Sequence, residues 1–96
     1  MELFIFVHFH ARERQGDAVE EALRDVIASS RQEAGCLAIH AFRSTRDARL
    51  FYIHSKWVDG AAFELHAKMP HTVRFRERVD PLLDRPLDVT RAEMIF

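Results

Sequence analysis

From Glu2 to Ala11 nearly every residue is apolar or histidine, and the share of Phe, Ile and Val favours a strand. Side chains alternate across a strand, so Leu3, Ile5, Val7 and Phe9 form a purely apolar side, and Phe4, Phe6, His8 and His10 form the other. The period then lengthens. Gly16-Asp17 opens a predicted helix with Asp17 as N-cap and Glu20 three residues on, the spacing of a capping box. Val19, Ala22, Leu23, Val26 and Ile27 recur at helical intervals as one buried stripe, and Gly35 is placed to end the helix.

Alternation returns with Leu37, Ile39 and Ala41 against Ala38, His40 and Phe42, a second strand. The polar segment Ser44 to Arg49 turns the chain into a third, where Phe51, Ile53, Ser55 and Trp57 alternate with Leu50, Tyr52, His54 and Lys56. Asp59 is the expected cap of a helix whose inward stripe is Ala62, Phe63, His66 and Ala67. Pro70 breaks that helix and starts a shorter one carrying Phe75, Val79 and Leu82 or Leu83. Val89 to Phe96 supplies the last strand.

The order is βαββαβ, a split βαβ unit of the ferredoxin-like α+β class. Right-handed crossovers place the third strand between the first and second, with the fourth beyond the first, giving an antiparallel sheet of order 4-1-3-2. Helices cover one face only. The other carries Phe4, Phe6, Phe42, Leu50 and Tyr52, too apolar to leave in water, so a second copy is expected to pack there and form a dimeric α+β barrel.

Ninety-six residues allow a single domain spanning 1–96, whose core buries only about 60–65% of the unfolded surface. Fourteen basic against fifteen acidic residues give a formal charge of −1, which offers no electrostatic footprint for nucleic acid or an anionic membrane. One cysteine, Cys36, cannot form an internal disulfide, and the apolar run from Leu3 to Phe9 lacks a basic flank and is too short to span a bilayer. The expectation is a cytoplasmic protein.

Glu33-Ala34-Gly35-Cys36-Leu37, the strand end Ser55-Lys56-Trp57, Asp59-Gly60-Ala61-Ala62-Phe63, His66 and Pro70-His71 together resemble the antibiotic biosynthesis monooxygenase (ABM) family, and the rest of the chain fits it. The resemblance implies a small ferredoxin-like dimer. Members of known activity oxidise phenolic or quinol substrates with dioxygen, without flavin or metal; others degrade haem or act on signalling sugars. The chain departs from the family pattern where Ala34 replaces the usual Pro, Ser55 the Glu of a Glu-x-Trp strand end, and Met69 the Thr before Pro-His. Haem-degrading members use an Asn and a helix-borne Trp. This chain has no Asn, and its one Trp, Trp57, falls at the strand position, so haem degradation is not expected.

Cofactor-free oxygenation requires an aromatic ring to be bound, its proton taken and the reduced oxygen species stabilised. His66, on the apolar stripe of its helix, is the candidate base, facing a pocket that Trp57, Phe63 and Phe9 could line; the plainer reading is a buried, hydrogen-bonded core histidine. His71, or the helix-start N–H groups beside it, could hold an oxyanion, although a histidine there also simply begins a helix. Trp57 could stack on a substrate, but a strand-end Trp in a small domain reads first as a core anchor. Arg74 and Arg76 read as solvated helix residues and Cys36 as a small buried apolar residue. His8, His10, His40 and His54 share one sheet face and could meet a divalent metal, or line the dimer interface and bond one another. No metal ligands and no cofactor are assigned. Two functions follow: a homodimeric, cofactor-independent monooxygenase using dioxygen on a small aromatic, phenolic or quinol-like substrate, or a non-catalytic ligand-binding or stress-related dimer of the same fold. A pocket touching His66 favours the first. A filled core with His66 bonded only to backbone favours the second.

Overall fold

The computed structural model describes every residue from Met1 to Phe96. Its elements follow the expected order: β1 (Leu3–His10), α1 (Gly16–Ser30), β2 (Cys36–Arg43), β3 (Leu50–Trp57), α2 (Gly60–Lys68), α3 (Pro70–Val79), a 3-10 turn (Asp80–Leu82) and β4 (Asp88–Ala92). The four strands form one antiparallel sheet in the order β2-β3-β1-β4, which is 4-1-3-2 read from the other edge. The inward sides are those the alternation marks: Ile5 and Phe9 of β1 and Phe51, Ile53, Ser55 and Trp57 of β3 are buried. Against them pack Val19, Leu23, Val26 and Ile27 of α1 and Phe75 and Val79 of α3.

Four local expectations are corrected. The first helix begins at Gly16 with Gln15 in the cap position, and no side chain caps it. Asp17 and Glu20 instead receive Arg43 of β2, whose Nη1 donates to Asp17 Oδ1 and Glu20 Oε1, both at 3.1 Å. A charged strand-end residue outcompetes the local capping box. That helix also ends at Ser30, five residues before Gly35. Gly35 serves close packing, since a Cβ there would collide with the Ala62 methyl of α2. In β2 a bulge between Cys36 and Ala38 breaks the alternation and leaves Leu37 48% exposed. The last strand covers Asp88–Ala92 only, and Met94, Ile95 and Phe96 lie beyond it, exposed.

At both ends of α2 the reading holds, but its expected inward stripe is only half-buried at Ala62, Phe63 and His66, and Ala67 is exposed, because the helix lies at the rim of the cavity. Asp59 Oδ1 accepts from Ala62 N at 2.8 Å, and the helix breaks at Met69 (φ −65°, ψ 143°), because the residue before a proline is driven out of the helical region. No helix of the protein is long and apolar enough to cross a membrane.

The uncovered sheet face exposes Phe6 (48%), Phe42 (53%) and Tyr52 (43%). Its four histidines do not converge. His40 and His54 sit opposite each other across β2 and β3, but His8 lies 3.3 Å from Asp88 and His10 turns to Asp47 and Asp84.

Candidate functional site

The turn after α1 positions the first functional side chain. Gln32 N and Glu33 N donate to the Ser29 and Ser30 carbonyls, and Cys36 N donates to the Glu33 carbonyl, so the chain folds tightly before entering β2. The Glu33 carboxylate is thereby directed at the break between α2 and α3. That break brings the last turn of α2 and the first turn of α3 together, with the His66 and His71 rings 6.1 Å apart. His66 Nδ1 donates to Glu33 Oε2 at 2.7 Å, and His71 Nε2 donates to the same oxygen at 2.8 Å. All three side chains are 10–16% exposed, so these charge-assisted bonds are shielded from water.

Bonding through Nδ1 fixes the His66 tautomer and leaves Nε2 carrying the lone pair. No protein group pairs with Nε2, and it is not sealed in: Ser30 Oγ is the one buried side-chain nitrogen or oxygen without a partner. The imidazole is held in place by Trp57, 4.5 Å away between ring centroids, and Phe63, 5.7 Å away. Trp57 is held in turn by its own Nε1 donating to Ser55 Oγ at 3.0 Å.

His66 borders a cavity of about 140 Å³ between the sheet and the helices. Ile5, Val7 and Phe9 of β1, Ile39, Ile53, Val26 and Phe75 supply most of its apolar wall. Ser30, Ser55 and Thr72 add hydroxyls, and the lining extends to the solvent-exposed Ala67, Arg76 and Val89. The chamber can therefore take a small, mostly apolar molecule, with an imidazole nitrogen available to accept a proton from it.

Of the residues singled out by sequence, His66, Phe63 and Phe9 meet at the cavity. Trp57 does not line it; fully buried, it backs the His66 ring. His71 lies outside it, on a groove between α1 and α3, and reaches the site only through Glu33. The N–H groups of Thr72 and Val73, candidates for holding an oxyanion, both donate to the Met69 carbonyl at 3.0 Å. Arg74 is exposed as expected, but Arg76 borders the cavity mouth. Burial pushes the Cys36 thiol up from its ordinary value, and the neighbouring Glu33 charge adds to this, so the group stays protonated at neutral pH and is no nucleophile.

Sequence reasoning missed Glu33 as a site residue, along with Ser30 and Thr72. Nothing periodic connects Glu33 to histidines 33 and 38 positions away. Ser30 did leave a signal, because it continues the stripe of Val19, Leu23 and Val26 as a lone polar residue on a buried face. Glu33, His66 and His71 are also the set that could hold a metal, with one ligand atom from each within 4.8 Å of the others, a two-histidine, one-carboxylate donor set suited to a divalent ion. An ion bound there would replace the two hydrogen bonds to Glu33, so the two arrangements are exclusive.

A ferredoxin-like sheet covered by helices on one face, with an imidazole–carboxylate pair beside an apolar chamber between sheet and helices, defines a class of small α+β proteins. Within it the chain belongs to the antibiotic biosynthesis monooxygenase family, whose model matches residues 3–78. It is 30% identical over 82 residues to "Putative monooxygenase YcnE" of Bacillus subtilis (strain 168), a match covering 85% of each chain. Among solved structures it is similar to PA3566 of Pseudomonas aeruginosa, with 30% identity, a TM-score of 0.92 and 99% and 95% of the two chains covered. Rv0793 of Mycobacterium tuberculosis shares the fold at 23% identity and a TM-score of 0.94, over 100% and 97% of the two chains.

Proposed function

We propose that this protein is a homodimeric, cofactor-independent monooxygenase acting with dioxygen on a small phenolic or quinol-like substrate, with His66 as general base. The carrying observation is the His66 ring, fixed through Nδ1 by Glu33 while it borders an apolar cavity. His66 Nε2 takes the phenolic proton, and Glu33 stabilises the imidazolium that results. His71 donates to the same carboxylate and so positions Glu33 rather than touching the substrate. Phe63 and Phe9 contact the ring as parts of the wall, and Trp57 acts through His66.

An electron-rich phenolate can itself pass an electron to dioxygen. The phenoxyl radical and superoxide combine as a peroxide on a ring carbon, and His66 returns its proton to the departing oxygen. For a hydroquinone, one oxygen atom enters the ring and the other leaves as water, giving a hydroxyquinone. All four electrons that reduce dioxygen come from the substrate, so this reaction needs no separate reductant.

This reading is favoured over a non-catalytic binder of the same fold because the chamber is open and His66 bonds a carboxylate rather than backbone. Homodimer formation rests on the exposed Phe6, Phe42 and Tyr52. Sedimentation at micromolar concentration should give a dimer, and Phe6→Glu should abolish it by placing an unpaired charge in the interface. Activity is tested by oxygen uptake with a panel of phenols and hydroquinones. Failure of every panel member to support uptake above the uncatalysed rate would refute the enzymatic reading.

A further inference from the structure

Ser30 closes α1 fully buried, borders the cavity, and leaves its hydroxyl without any protein partner. A helical serine commonly bonds back to its own helix carbonyls, and this one does not. Buried hydroxyls are nearly always satisfied, so an orphan on the wall of a ligand-sized chamber marks a place where a bound molecule supplies the missing partner. Ser55 cannot take that role equally, since its oxygen already accepts from Trp57 Nε1. The cavity wall thus carries, on different helices, the unpartnered Ser30 of α1 and His66 of α2, while the Thr72 hydroxyl already contacts His66 Nδ1 at 3.4 Å. The volume of about 140 Å³ is close to that of an engineered apolar cavity of about 150 Å³ that admits one benzene.

We propose that the cavity selects a single aromatic ring bearing two hydroxyls, one at His66 Nε2 and the second hydrogen-bonded by Ser30, which makes Ser30 the residue that distinguishes dihydric from monohydric phenols. This rests on the reading of His66 as the substrate-facing base. Ser30 can donate to the second oxygen or accept from it, so it serves that group as hydroxyl or carbonyl and holds the ring through the oxidation. A fused second ring would have to extend out through the open side of the cavity, past Ala67, Arg76 and Val89.

The test is anaerobic titration of the full chain, followed by the fluorescence of its one tryptophan, Trp57, whose ring lies 4.5 Å from His66. The probes are phenol, the three dihydroxybenzenes and a naphthalenediol. At least one dihydroxybenzene should bind about tenfold tighter than phenol, the worth of one ordinary hydrogen bond. Ser30→Ala should bring that isomer to phenol's affinity and leave phenol unchanged. The naphthalenediol should bind at least about tenfold more weakly than the best single ring. Equal binding of phenol and all dihydroxybenzenes, equal weakening of phenol by Ser30→Ala, tight naphthalenediol binding, or no saturable binding at all would each overturn the proposal. If Ser30→Ala does not fold, the wild-type comparison of phenol with the dihydroxybenzenes decides. The expected binding pattern without oxygen uptake in air would refute the monooxygenase reading and leave the Ser30 assignment standing; uptake without the pattern would do the reverse.

Discussion

Two histidine–carboxylate clusters sit at opposite ends of the sheet, and only one borders the apolar cavity. At the end of β1, His10 Nδ1 lies 2.8 Å from Asp84 Oδ2 and its Nε2 lies 3.0 Å from Asp47 Oδ2. Both nitrogens are engaged. The ring ties the loop between β2 and β3 to the segment before β4, and Arg49 reinforces the tie by donating to Asp84 and to the Ala11 carbonyl. At the other end, His66 gives one nitrogen to Glu33, has no protein partner at the second, and borders a cavity. The residue types are the same; what separates them is that His66 keeps one nitrogen without a protein partner and borders a cavity, and the base proposed for it rests on that difference.

The sharpest way to break this contrast is to remove each ring. His66→Ala should lower turnover about 10²–10⁴-fold, the range for a lost general base, while changing stability by only about 1–2 kcal/mol. Full activity in that variant would make His66 a structural residue. Glu33→Gln keeps an acceptor for the ring but removes the charge facing the imidazolium. A charge-assisted bond is worth about 1.5–3 kcal/mol, so kcat should fall about 10–10²-fold.

His10→Ala should behave oppositely, keeping kcat and losing about 1–2 kcal/mol of stability, read as a melting temperature lower by about 5–10 °C. Acid sharpens the contrast further. Asp47 is held below the ordinary aspartate value first by the Arg49 backbone N–H and then by His10. For Asp84 desolvation is the largest single influence and pushes up, but bonds from His10 and Arg85 together outweigh it and the net shift is down. Folded values below the unfolded ones mean that these carboxylates contribute in full above the ordinary value of about 3.9 and lose their contribution as pH falls through the folded values. Urea midpoints measured from pH 7 to below 4 should drop less steeply for Asp47→Asn/Asp84→Asn than for wild type. The smallest effect is expected from chelation, which should leave turnover unchanged. Loss with chelator and recovery with one divalent ion would convert Glu33, His66 and His71 into a metal site.

The strands and their order were legible because alternation and handed crossovers are rules local to each segment. Side chains that act across segments were not. Asp17 and Glu20 fit a capping box by spacing, yet Arg43, brought in by the sheet, took both. Gly35 looked like a helix stop, and its real constraint is a methyl group on another helix. His66 was visible as a polar residue on an apolar stripe, and Ser30 satisfied the same criterion without being used. Glu33 stood in the motif that carries the family resemblance, but its meeting with both rings was not legible, since only the α1–β2 turn and the break at Pro70 together bring it there.

The contact between Gly35 and Ala62 acts as a spacer gauge for the site. Gly35 stands two residues after Glu33, and Ala62 stands four before His66, so the gap they permit sets how far the turn rides above α2. A hydrogen bond of 2.7 Å tolerates little separation. Widening that gap by one methyl group would loosen the Glu33–His66 bond while leaving both side chains unaltered, so a residue with no functional group sets the geometry of the proposed base.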